Sequence, residues 1–75
     1  MRERFLIKMP NGECVGAGKT LKAAVKCTLK FFYYTEIAEK NMYGIEIDTN
    51  NDTEIGKICT QELYDIAQKF FNKER

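Results

Sequence analysis

Four lysines, Lys19, Lys22, Lys26 and Lys30, recur at spacings of three, four and four residues. On an α-helix that spacing gathers the ammonium groups along one face. Such a stripe can meet phosphates or acidic side chains, each contact adding a salt-dependent term. Immediately before it, Gly16-Ala17-Gly18-Lys19-Thr20 ends in the GKT of a phosphate-cradling loop. That motif requires glycine where this chain carries Glu13, whose carboxylate repels phosphate, and Gly12 misses the position by one. The segment therefore reads as a glycine-rich strand end leading into a helix cap. Its helix-start amides, with Lys19, keep only a general capacity to hold an anion.

Acid chemistry would fall to Glu46, Asp48, Asp52 and Glu54, but paired catalysis needs two carboxyls facing one pocket with separated pKa values. Alternation places Glu46 and Asp48 on the outward face of a strand and Asp52 in a turn, so a solvated sheet face accounts for them. The segment from Asp48 to Glu54 offers oxygen ligands yet lacks the glycine and distal glutamate of an EF-hand loop. Cys14, Cys27 and Cys59 are three in number and widely spaced, which is no disulfide framework. The chain has no histidine, so the usual zinc sites and Ser-His or Cys-His pairs are missing. We read the cysteines as small buried apolar residues of a reducing compartment. No catalytic residue, metal site or cofactor is expected.

The run Phe31-Phe32-Tyr33-Tyr34, followed by Ile37, is the second candidate for binding. Phe31 and Phe32 continue the apolar stripe of a helix and are expected in the core. Tyr33, Tyr34 and Ile37 cannot all point inward from one unbroken helix. Either the helix ends near Tyr34, or these residues form an exposed apolar patch of the kind interfaces use.

These side chains need elements to hold them. Arg4–Met9 alternates, with Phe5, Ile7 and Met9 on one side, as a strand does. Pro10-Asn11-Gly12-Glu13 supplies hairpin chemistry. Cys14 to Gly18 is the return strand, and its glycines predict a bulge or a close approach of backbone. Thr20 caps a helix whose apolar face is Leu21, Ala24, Val25, Thr28, Phe31 and Phe32, and Asn41 suits its C-terminal end. A second strand pair runs from Tyr43 to Thr49 and from Thr53 to Cys59, with Tyr43, Ile45, Ile47 and Thr49 on one face. Thr60 is expected to cap a last helix with the stripe Leu63, Ile66, Ala67, Phe70 and Phe71, and Lys69, Lys73 and Arg75 near its end.

Laid over itself at a shift of forty, the chain matches Phe5 with Ile45, Ile7 with Ile47, Asn11 with Asn51, Val15 with Ile55, Gly16 with Gly56, Thr20 with Thr60 and Phe31 with Phe71. This suggests a pseudo-repeat of 4–32 and 44–72 within a single domain, 1–75. The expected fold is α+β: two β-hairpin–helix (ββα) units forming a four-stranded antiparallel sheet with two helices on one face.

Composition is that of an ordinary globular domain, 44% hydrophobic and 31% charged. No apolar run nears the roughly 18 residues a membrane span needs, and no signal peptide is read. Met1 and the charged ending suggest a complete short cytoplasmic protein. The net charge of +1 hides an asymmetry. Residues 1–35 hold seven basic and two acidic residues (+5), and residues 36–75 hold five and nine (−4).

The expected function is a small non-enzymatic binding or regulatory module of inhibitor or adaptor type. It acts on a macromolecular partner, protein before nucleic acid, through Tyr33, Tyr34 and Ile37, with homodimerisation through that end included. The alternative is nucleic-acid binding through Lys19, Lys22, Lys26 and Lys30.

Overall fold

The computed structural model describes residues 3–73, with side chains as far as Phe71. Arg2, the side chain of Lys73 and Arg75 therefore lie outside the described residues. The elements are β1 (Phe5–Lys8), β2 (Cys14–Gly18), α1 (Leu21–Thr28), α2 (Tyr34–Glu39), β3 (Tyr43–Asp48), β4 (Thr53–Ile58) and α3 (Thr60–Lys73). The strands form one antiparallel sheet in the order β2-β1-β3-β4. This is the expected small α+β fold, with three helices where two were read.

The added helix comes from a break in the first. Turn-type bonds from Lys30 to Cys27 and from Phe31 to Thr28 close α1, and Tyr33 is extended at φ −73° and ψ 154°. Four consecutive aromatics favour this, because aromatic side chains crowd the preceding helical turn. Across the break they alternate: Phe31 is 76% and Tyr33 63% exposed, whereas Phe32 and Tyr34 are half-buried. Phe31 is thus surface and not core. The turn restarts at α2, where the Glu36 carboxylate accepts the Tyr33 amide at 2.9 Å. Asn41, at φ +52°, ends α2 as its left-handed terminal residue. Its amide donates to the Ala38 carbonyl, and that of Met42 to Ile37.

Sheet and helices meet through glycine. A Cβ at Gly16 would lie 2.0 Å from Thr28 Oγ1, and one at Gly18 2.6 Å from the Ala24 nitrogen, so α1 rests on bare β2 backbone. Register carries this face across the sheet, since Ile7 pairs with both Gly16 and Gly44. A Cβ at Gly44 would lie 3.4 Å from Leu63 of α3. The core between sheet and helices is Ile7, Ala24, Val25, Ile37, Met42, Leu63 and Ala67. Thr28, the buried polar residue, donates its hydroxyl to carbonyls of Val15 and Ala24, both at 3.3 Å.

Two expected facings are reversed. Gly44 and Glu46 lie on the helix side, paired with Ile7 and Phe5. Tyr43, Ile45 and Ile47 consequently face away from the helices, and Ile45 stands outside the core cluster. The helix side of β3 is taken by Leu63 over Gly44, which leaves its β-branched residues the other face. The carboxylate of Glu46 holds the Arg4 guanidinium, with Nε at 2.9 Å, and Asp48 accepts bonds from Asn50 and Asn51 in the turn. Each hairpin carries a bulge, with Val15 the extra residue in the first and Ile55 in the second. Residues forty apart keep their facing in the outer strands, while Phe5 and Ile7 face opposite to Ile45 and Ile47.

Thr20 caps α1 as expected, accepting the Ala23 amide at 3.1 Å. Thr60 does not cap α3. It is the first helical residue, and its hydroxyl donates to the Met42 carbonyl at 2.6 Å.

Candidate functional site

Helix α1 turns its lysine face toward α3. All four lysines of the stripe are exposed, but they do not act as one row. Lys19 precedes the cap and Lys30 follows the last turn of α1, so only Lys22 and Lys26 stand on the helix itself. Lys26 and Lys30 border a groove of about 280 Å³ whose floor and walls include Leu29, Phe32, Phe70 and Phe71. Tyr33 and Tyr34 line it as well. A second groove along the same seam is bordered by Lys22 and Lys69, with Ile66 and again Phe70. Lys19 lines neither.

The break after α1 builds this end. By turning the chain out of the helix, it brings Tyr34 against α3, its ring centroid 4.7 Å from Phe71 and 5.8 Å from Tyr64. Tyr33 leans on the same cluster, 5.9 Å from Tyr34 and 6.4 Å edge-on to Phe71. Tilted and edge contacts of this kind add about 0.5–1.5 kcal/mol each, which favours this arrangement of the aromatic wall.

Two candidate surfaces that look separate in the sequence therefore converge. Tyr33, Tyr34, Lys26 and Lys30 share one groove. Ile37 does not join them: it is 0% exposed and belongs to the core. Starting α2 anew at Tyr34 rotates Ile37 inward, so it is not part of an exposed patch. Phe70, Phe71 and Lys69 were missed as site residues because α3 reads by itself as a plain amphipathic helix. The signal was present in Lys69 adjoining the two-phenylalanine end of its apolar stripe.

The chemistry offered is an apolar trough with cationic rims. Among the described residues no acidic side chain lines either groove. Long lysine stems add apolar cover while their ammonium groups stay in water. Among the described residues no cluster of three acidic or thiol ligands is placed to hold a metal. The cysteines are free, but Cys14 and Cys59 are exposed and Cys27 half-buried, contrary to the buried role expected. Cys14 opens an edge strand and Cys59 joins β4 to α3, and neither place is covered by a helix. No helix among the described residues is long and apolar enough to cross a membrane. Comparison with protein-family models, with curated proteins and with solved structures gives no match.

Proposed function

We propose that this chain is a small non-enzymatic protein-binding module of inhibitor or adaptor type. Its partner presents an acidic segment with an apolar or aromatic anchor. The observation that carries this reading is the convergence of Lys26, Lys30, Tyr33 and Tyr34 on one groove floored by Phe70 and Phe71. A buried apolar anchor supplies affinity in such sites, and complementary rim charge supplies orientation and on-rate.

The test compares capture from lysate on wild-type bait and on Lys26→Glu/Lys30→Glu bait, with bound proteins identified by mass spectrometry. A protein held by the wild type, released by salt and lost from the charge-reversed bait is the expected result. A set of bound proteins unchanged by the reversal overturns the reading.

A second reading is single-stranded nucleic acid. The exposed rings of Phe31 and Tyr33 beside Lys30 favour it, because bases stack on such rings while cations follow the backbone. Fluorescence polarisation with labelled single-stranded RNA and DNA at low salt decides this. Binding that falls steeply with salt and with Tyr33→Ser supports it, and no change in polarisation removes it.

A further inference from the structure

Among the described residues no helix or loop covers the face of the sheet opposite the helices. An antiparallel sheet with one solvated face ordinarily turns polar residues outward there. This one does not. The row Ala17, Leu6 and Ile45 crosses three strands in register, and Tyr43 and Ile47 flank Ile45 along β3. Ile45 is only 5% exposed although no helix covers it. The polar residues of β3, Glu46 and Asp48, point to the helix side instead.

We propose that this bare face is a self-association surface, and that its occupant is the same face of a second copy. Charge along the strands argues for a copy of this chain. Lys57, paired with Ile45, has its ammonium 4.8 Å from the Tyr43 ring centroid, and Lys8 pairs with Tyr43, so one end of the face is basic. At the other end Glu54 pairs with Ile47, beside the turn that follows Asp48. A two-fold axis lying between the faces and perpendicular to the strands reverses one copy end for end. It sets Lys57 of each copy over Glu54 of the other, and Ile45 over Ile47. The strands then run antiparallel across the interface, within the aligned geometry of packed sheets, and the contact is isologous and closes.

Area sets the strength. Four strands about 4.8 Å apart, of four to six residues each, make a footprint of roughly 19 by 17 Å. Two such faces give roughly 650 Å² in projection, below the range of stable specific interfaces. The dimer is therefore weak and reversible. It is independent of the groove between α1 and α3, which lies on the opposite side of the sheet.

Analytical ultracentrifugation of the whole chain, from roughly 10 µM to roughly 1 mM, tests this in the range a small interface requires. The expected result is an apparent mass rising from 8.7 kDa toward twice that value. Lys57→Glu and Glu54→Lys each weaken the dimer by at least about tenfold, and the two together restore it to within about threefold. Both residues are exposed, and far-UV circular dichroism confirms that the variants fold. Lys26→Glu/Lys30→Glu leaves the dimer unchanged, which separates this proposal from the groove. A monomer throughout, a dimer indifferent to both single reversals, or a double reversal that restores nothing overturns it.

Discussion

Gly16 lies directly beneath Thr28: a Cβ placed on the glycine would sit 2.0 Å from the threonine hydroxyl and 2.9 Å from the Ala24 carbonyl. The pair sets the distance between α1 and the sheet, and neither backbone can yield without the other moving. Gly16→Ala is expected to cost about 3 kcal/mol or more, at the upper end of overpacking penalties. Thr28→Ala in that background recovers part of the loss by removing the nearest atom. Gly56→Ala is the contrast, since its nearest neighbour is the Glu46 side chain at 3.7 Å, an ordinary contact. It should be neutral, or stabilise by about 0.5 kcal/mol through the unfolded chain. Urea denaturation of the variants measures all of these, and equal losses at Gly16 and Gly56 would contradict the packing described.

Ile37 and Tyr33 separate stability from surface. Ile37 is fully buried, while Tyr33 is 63% exposed. Ile37→Ser removes most of a core side chain and adds a hydroxyl, a loss of about 3–5 kcal/mol. In a domain of this size that approaches the whole stability. Tyr33→Ser costs less than about 1 kcal/mol, because only ring contacts at a water-exposed end are lost. Thermal melts of the two variants should differ by well over 10 °C. Near-equal melting would place Ile37 at the surface.

The elements were largely legible because their signals are local. Asn11-Gly12 in the first turn, the Thr20 cap and Asn41 at the end of α2 each act through a few neighbouring backbone groups, and the strands fall where alternation predicts. The facing of β3 was not legible. Tyr43, Ile45 and Ile47 make the better core stripe taken alone, and only the pairing of Ile7 with Gly44 decides otherwise. Pairing between distant strands is not written in the period of either strand. Half of the site was visible for the same reason. The lysine spacing and the aromatic run are local patterns, but that they share a groove with Phe70 and Phe71 depends on how α3 returns across α1.

The cysteines give a chemical check on the fold. Cys14 and Cys59 are exposed and Cys27 is half-buried on α1. Thiols react according to access as well as acidity. A disulfide reagent added to the native protein should therefore modify two thiols quickly and the third slowly, with denaturant removing the difference. Peptide mapping should place the slow site at Cys27. Three equal rates, or a slow Cys14 or Cys59, would contradict the exposure of these positions.

Thr20 and Thr60 occupy corresponding places in the two halves yet use their hydroxyls in opposite senses. Thr20 accepts, taking the Ala23 amide, and Thr60 donates, giving its proton to the buried Met42 residue's carbonyl. A carboxylate accepts but cannot donate. Thr20→Asp should therefore keep the cap, which aspartate fills as well as threonine, and change stability by less than about 0.5 kcal/mol. Thr60→Asp sets a negative charge against a carbonyl oxygen and deprives that oxygen of its donor, for a loss of about 1–3 kcal/mol. Thr60→Ser retains the donor and most of the stability, whereas Thr60→Val keeps the shape and loses the bond. If Thr60 served as a cap, the order would reverse, with aspartate tolerated and valine costly, so chemical denaturation of these four variants separates the two roles.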